Sequence, residues 1–398
     1  MHISSFVTLA LASAQPVEKR ANEFPIPYIG ETLTDYSEKL LSFLSGVVIG
    51  GVDTLRPITY IAPAPSIDWN CDFHKATAKT NDLPNYDTDF PEVDGVDNDK
   101  IKWFIEADNR AKNDPVVYYL HGGGYVFAMF PLFTGLWMDV WKAYNAGKND
   151  KLSIAMLDYP IAPKQGTWPA PLEAAVAAYN KLTELSDNII IAGDSAGGHL
   201  ALSLLRHIEH PVEGIDAVTV KPQGLVMLSP WVNVFPNHGE GITNGTYETY
   251  ENVDLLSANS LSAMGEIAIP DEETRNSPAM NFWKDYINWS DLLPEDKSKV
   301  YVSYGDTEVL KGDIQTWIDI AELEDSGATI FRDLAGCEDC TFASGTHDNV
   351  VFNFRNSPIF SSLVDFMTAN FWVRVRTMLL QIEQSMPLDR YQLLNIHS

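Results

Sequence analysis

Gly193-Asp194-Ser195-Ala196-Gly197 is the segment of this sequence best suited to covalent chemistry. A serine hydroxyl attacks only when a sharp turn presents it and a base removes its proton. The small residues around Ser195 permit such a turn. The apolar run Ile189-Ile190-Ile191 before it and the helix-forming stretch after it give the strand–turn–helix setting of a nucleophile elbow. In that setting the Ala196 N–H lies at a helix N-terminus, where the dipole favours a developing oxyanion. A second segment, His121-Gly122-Gly123-Gly124, follows the apolar run Val116–Leu120. Its glycines let backbone N–H groups approach a carbonyl oxygen, so Gly122 and Gly123 are expected to complete an oxyanion hole with Ala196. Asp194 is expected to brace neighbouring loops through hydrogen bonds. Tyr125, just after the glycines, could touch a bound acyl group or simply pack.

These residues need elements to hold them. Residues 116–120, 152–158, 188–192, 224–228, 300–304 and 329–334 read as strands, and 169–185, 196–210 and a stretch near 313–324 as helices. The alternation predicts an α/β fold, a mostly parallel central sheet with helices on both faces. Leu33, Leu40, Leu44 and Val47 recur at helical spacing within residues 31–50. Residues 65–100, rich in Asp, Asn and Pro, read as loops with a short hairpin. Residues 233–280 break the rhythm with polar, Asn- and Gly-rich sequence. That stretch, with residues 21–60, is expected to form a helical cap above the sheet. Phe127, Phe130, Phe133 and Trp231 would lend the site an apolar cleft.

The 398 residues are 45% hydrophobic and 20% charged, enough for one large core over residues 21–398. The formal net charge of −27 argues against nucleic acid as a partner, since phosphate binding needs basic patches. It also disfavours anionic substrates and anionic membranes. No apolar stretch is long enough to span a bilayer as a helix. Residues 6–14 are mostly apolar, Ala12-Ser13-Ala14 has the form of a cleavage site, and Lys19-Arg20 is a dibasic pair. Residues 1–20 therefore read as a signal peptide with a short pro-segment, and the protein as secreted. Sequons at Asn244 and Asn288 agree with export. Cys71, Cys337 and Cys340 are too few for a zinc site and read as one disulfide plus one buried thiol, the pairing open.

Further segments join the two glycine motifs: Asp158-Tyr159-Pro160-Ile161-Ala162-Pro163, Trp168-Pro169-Ala170, Ser229-Pro230-Trp231, Gly305-x-x-Glu308-x-Leu310 and Gly345-x-His347. Together the chain resembles the hormone-sensitive-lipase-like branch of the α/β-hydrolases, and within it fungal steryl acetyl hydrolases and related secreted fungal esterases. It departs from the bacterial pattern at Pro160, where Arg is usual, and at Lys164, where Glu is usual. The resemblance implies an α/β-hydrolase fold and hydrolysis of a small ester, lipid esters included, through an acyl-enzyme, with no metal or cofactor. It implies short to medium acyl chains. A triacylglycerol lipase, a steryl ester deacetylase and, remotely, a non-catalytic binding protein are the alternatives. It also makes His121 a residue that holds its loop.

A base and an acid must serve Ser195. Only His347 lies in a loop after the last apolar strand, where this fold places the base; His199, His207 and His210 are expected to point away from the site. Asp306 and Glu308 compete as the acid, with Asp313 behind them. They lie two residues apart in one loop, so alternation does not separate them. The resemblance selects Glu308, three positions after Gly305 and two before Leu310.

Overall fold

The computed structural model describes residue 93 and residues 101–129, 131–146, 151–234, 245–251, 253–334, 345–353 and 357–371. The expected leader, the first cap stretch, the hairpin near 65–100 save Val93, all three cysteines, Phe130 and residues 235–244, with the Asn244 sequon, lie outside these.

In chain order the framework runs β1 (Ile101–Ile105), β2 (Val116–Leu120), α1 (Pro131–Asn145), β3 (Ser153–Leu157), α2 (Ala170–Leu185), β4 (Ile189–Asp194), α3 (Ser195–Glu209) and β5 (Gly224–Leu228). Four short helices follow: α4 (Thr246–Tyr250), α5 (Ala258–Ala268), α6 (Glu272–Asn276) and α7 (Trp289–Leu292). The chain continues through β6 (Val300–Gly305), α8 (Lys311–Ile320), β7 (Thr329–Asp333), α9 (Asn349–Asn353) and α10 (Pro358–Phe371). The strands form one sheet in the order β1-β3-β2-β4-β5-β6-β7. Only β1, on β3, is antiparallel; the other pairs are parallel.

The strand sequences explain why both faces are covered. Tyr118, Leu120, Ile191 and Met227 point to a cluster shared with α2 and α3, whereas Val117, Tyr119, Ile190 and Val226 point to one shared with α1 and α10. A parallel strand buried on both sides reads as a near-continuous apolar run, which is how β2, β5 and, up to Asp194 at its end, β4 read. Two elements escaped the sequence reading. The short β1, Ile-Lys-Trp-Phe-Ile, follows a polar stretch without clear alternation. In α1 the aromatics and aliphatics lie on nearly every side, because it is wedged between the sheet and α10, and so no helical stripe shows.

Residues 245–280 supply three of the short helices, the helical character expected of a cap. Here α5 buries Leu261 and Met264 in the cluster that holds Tyr125 and Trp231. No helix among the described residues is long and apolar enough to cross a membrane.

Strand topology places the chemistry. Between its parallel neighbours β3 and β4 lies β2, so the chain direction across the sheet reverses there. The crevice at the carboxyl ends of such strands is where open α/β sheets bind ligands. Both glycine motifs leave the sheet at that point, from adjacent strand ends where Leu120 pairs with Gly193. The contact is close: a side chain on Gly197 would overlap the Leu120 carbonyl oxygen.

Candidate active site

Ser195 opens α3 with φ +48°, a left-handed conformation that L side chains rarely adopt. The turn keeps Ser195 at the strand end, 6% exposed, with its Oγ 2.9 Å from His347 Nε2. On the oxyanion side one expectation needs correction. Gly122 was expected to offer its N–H to the substrate oxygen, but that group already donates to Asp194 Oδ1 at 2.9 Å. A donor bound to a buried carboxylate is not free for an oxyanion. Among the described residues the N–H groups of Gly123, Gly124 and Ala196 have no acceptor, which leaves them available to an oxyanion. Asp194 performs the bracing expected of it, accepting from the Tyr119 hydroxyl as well.

The loop is also held from behind. His121 stacks on Tyr159 with ring centroids 4.2 Å apart and directs Nδ1 to the Gly122 carbonyl at 2.7 Å. Burial, partly opposed by that carbonyl, lowers its pKa to about 4, so it is neutral and structural. Tyr125, left open between acyl contact and packing, packs: it is 1% exposed, and its hydroxyl meets His199 Nδ1 at 2.7 Å. His199 was expected to face away from the site, yet its ring props the oxyanion loop. Its Nε2 lies 3.2 Å from the Met280 carbonyl, which can only accept, so Nε2 carries the proton and Nδ1 accepts from Tyr125. The expected apolar cleft is reduced in the same way. Trp231 is fully buried beside Tyr125 and His199, and Phe133 packs on Tyr119 and His121.

The three candidate carboxylates differ in direction. Asp306 turns outward to Lys311 at 2.6 Å and to Arg332. Asp313 is buried against the Tyr247 hydroxyl and Asn233. Glu308 faces the histidine, with Oε2 3.9 Å from His347 Nδ1. The Ser229 hydroxyl at 2.7 Å and the Gly305 N–H at 3.0 Å hold that same oxygen. Among the described residues neither His347 Nδ1 nor Glu308 Oε1 has a hydrogen-bond partner, so no bond is closed between the two side chains. Catalytic bonds are often long before substrate binds.

Two further carboxylates crowd the histidine. Asp348, at φ +51°, places Oδ2 3.2 Å from His347 Nε2, the nitrogen that faces Ser195. Asp254, from the stretch after α4, accepts the His347 N–H at 3.0 Å. Burial alone would lower the His347 pKa; Asp348 first, then Glu308 and Asp254, outweigh it and push the value up to about 10. Burial pushes Glu308 up to about 8, with His347 opposing. The imidazolium cannot take the Ser195 proton, so activity belongs to the neutral form and falls as pH drops through the raised value. We expect kcat/KM to climb from neutral to alkaline pH. Asp348→Asn removes the nearest charge and is expected to move that limb to lower pH by about one unit or more. Superimposable pH–rate profiles for the two proteins would refute this.

Sequence reasoning missed Asp254, Asp348, Tyr119 and Ser229. The signal for Asp348 was its place beside His347. Asp254 gave none, since it lies 93 residues from the histidine it contacts.

Comparison with known proteins gives this geometry a setting. Residues 7–335 match the family model described as steryl acetyl hydrolase. The mug81 protein of Schizosaccharomyces pombe is 28% identical over 242 residues, covering 60% of this chain and 62% of that protein. Steryl acetyl hydrolase 1 of Saccharomyces cerevisiae is 27% identical over 209 residues, covering 50% and 46%. The chain thus spans about half to three fifths of the length of these relatives. Among solved structures, an esterase from the bacterial hormone-sensitive lipase family superposes with a TM-score of 0.53 over 83% of this chain and 98% of that one, at 21% identity. At that identity the likeness speaks for the α/β-hydrolase fold alone.

Proposed function

The chain belongs to the steryl acetyl hydrolase family, and on that premise we propose that it is a serine carboxylester hydrolase acting on apolar esters of short to medium acyl chain, acetyl esters among them. The observation that carries the reading is the 2.9 Å contact between Ser195 Oγ and His347 Nε2 at the end of β4, with unpaired N–H groups of Gly123 and Ala196 beside it.

In this reading His347 takes the Ser195 proton as Oγ attacks the ester carbonyl. Gly123 and Ala196 hold the negative oxygen of the tetrahedral intermediate. Collapse expels the alcohol, which receives the proton from His347 and leaves an acyl-serine. Water, deprotonated by His347, then attacks the acyl-serine; the carboxylic acid leaves and Ser195 regains its proton. Glu308 keeps the imidazole oriented and offsets its charge in both halves. The family description and the named yeast relative favour a steryl acetate as one alcohol to test.

We read the protein as secreted. The support is the apolar segment before Ala12-Ser13-Ala14 and the exposed position of Asn288. One preparation tests the whole reading. Protein recovered from culture medium should begin at Ala21, and its activity on p-nitrophenyl esters should peak at two to eight acyl carbons, a range of roughly pocket size. Steryl acetate should be cleaved in the same assay. Best activity on long chains, enhanced at an oil–water interface, would favour a triacylglycerol lipase instead; no ester turnover at all would favour a binding protein.

A further inference from the structure

The stretch after β5 is more than a cover. Beginning at α4, it is bonded twice to the acid loop and once to the helix after it: Thr246 Oγ1 donates to the Val309 carbonyl at 2.9 Å, the Val309 N–H to Asp254 Oδ2 at 2.6 Å, and the Tyr247 hydroxyl to Asp313 of α8 at 2.7 Å. The other oxygen of Asp254 reaches the histidine loop, accepting the His347 N–H at 3.0 Å, and also accepts from Leu255 N–H at 2.7 Å. A single carboxylate therefore accepts one backbone donor from the residue after Glu308 and one from the catalytic histidine itself. The two loops already run in contact, since Thr307 N–H donates to the Gly345 carbonyl and a side chain on Gly305 would overlap that oxygen. Their relative height still needs fixing, because Glu308 Oε2 stands 3.9 Å from His347 Nδ1 and the bond must shorten for catalysis.

We propose that Asp254 is a positioning residue that clamps the acid loop to the histidine loop and so makes the capping segment part of the catalytic apparatus. The proposal rests on the reading of Ser195 and His347 as nucleophile and base. Charge-assisted bonds to backbone N–H groups are short and directional, which suits the carboxylate to setting loop position. Its charge also faces the imidazole, together with Asp348 on the histidine loop, Glu308 on the acid loop and Asp194 at the elbow; the Tyr247 hydroxyl of α4, bonded to Asp313, also feels Asp254 and Glu308. Asp254 thus favours the imidazolium, and its loss must lower the pH at which His347 titrates.

The test compares Asp254→Ala and Asp254→Asn with Thr246→Val, which cuts a bond of the same segment to the acid loop but none to the histidine. For Asp254→Ala we expect kcat on p-nitrophenyl acetate to fall by about 10- to 100-fold, the scale of an ångström-sized misplacement, with KM changed far less. Asp254→Asn keeps one accepting oxygen and should lie between. Both should move the rising limb of the pH profile to lower pH; Thr246→Val should leave it in place. His347 titration followed by NMR in the Ser195→Ala background supplies a readout free of turnover, and Asp254→Asn should shift it downward there. Wild-type kcat and an unshifted titration in the Asp254 variants would overturn the proposal, as would activity losses that merely track the folded fraction seen by circular dichroism. If the wild-type protein cleaves no ester, the functional reading fails, while the NMR titration still decides the role of Asp254.

Discussion

Ser195→Ala is expected to lower ester turnover by about 10⁶-fold while leaving the melting curve where it was. The size follows from what is removed. The oxygen that would carry the acyl group is the atom 2.9 Å from His347 Nε2, and water held by the same histidine is a poor substitute for a serine on the strained turn. Stability should be spared because Oγ makes that one bond, because Ser195 is less deeply buried than Asp194 and Ala196 beside it, and because alanine carries the same cost at φ +48°. About 10³-fold acceleration over water should persist from the oxyanion hole and substrate binding. Initial rates on p-nitrophenyl acetate and labelling by a fluorophosphonate check the point together. A variant that keeps even a few per cent of the rate, or still takes up the label at the elbow, would disprove Ser195 as the nucleophile.

Glu308→Gln should cost on the order of 10⁴-fold in kcat, and Asp306→Asn almost nothing. Glutamine fits the space, but an amide nitrogen facing His347 Nδ1 would stabilise the tautomer whose proton is on Nε2, which cannot accept from Ser195. Asp306 spends its charge on Lys311 and Arg332 at the surface, and exposed pairs contribute about 1 kcal/mol or less. The same assay on both variants separates the carboxylates; a dead Asp306→Asn beside an active Glu308→Gln would reverse the assignment.

Motifs that bend the backbone were legible in the sequence. The elbow and the glycine loop demand residues that few other contexts require, and the central strands demand apolar runs, so both motifs and the succession of β2 to β7 along the chain could be read directly. The acid could not, because Asp306 and Glu308 differ only in which way a loop turns; alternation was silent, and the family likeness pointed to Glu308, the carboxylate that faces His347 here. The Gly122 N–H was misassigned because its fate depends on Asp194, 72 residues away, turning toward it. Asp254 was invisible for a related reason, and Asp348 was marked only by its place beside His347. A carboxylate acquires its role here from the N–H groups and imidazole brought to it by folding, and acidic residues are common throughout this chain.

The bonds from Asp194 to Tyr119 and to Gly122 bear on how this site could be rebuilt. They make the nucleophile turn and the glycine loop one rigid block spanning two strands, so a displacement of either end carries the other with it. A transplant of the His121–Gly124 loop into another scaffold would arrive without its counterweight: the Gly122 N–H would swing free and the spacing between acceptor and nucleophile would be left to chance. The smallest portable module is the whole block, Tyr119 through Gly124 together with the elbow from Gly193 to Gly197, and an engineer who wants a different substrate should redraw what surrounds that block and leave its interior untouched.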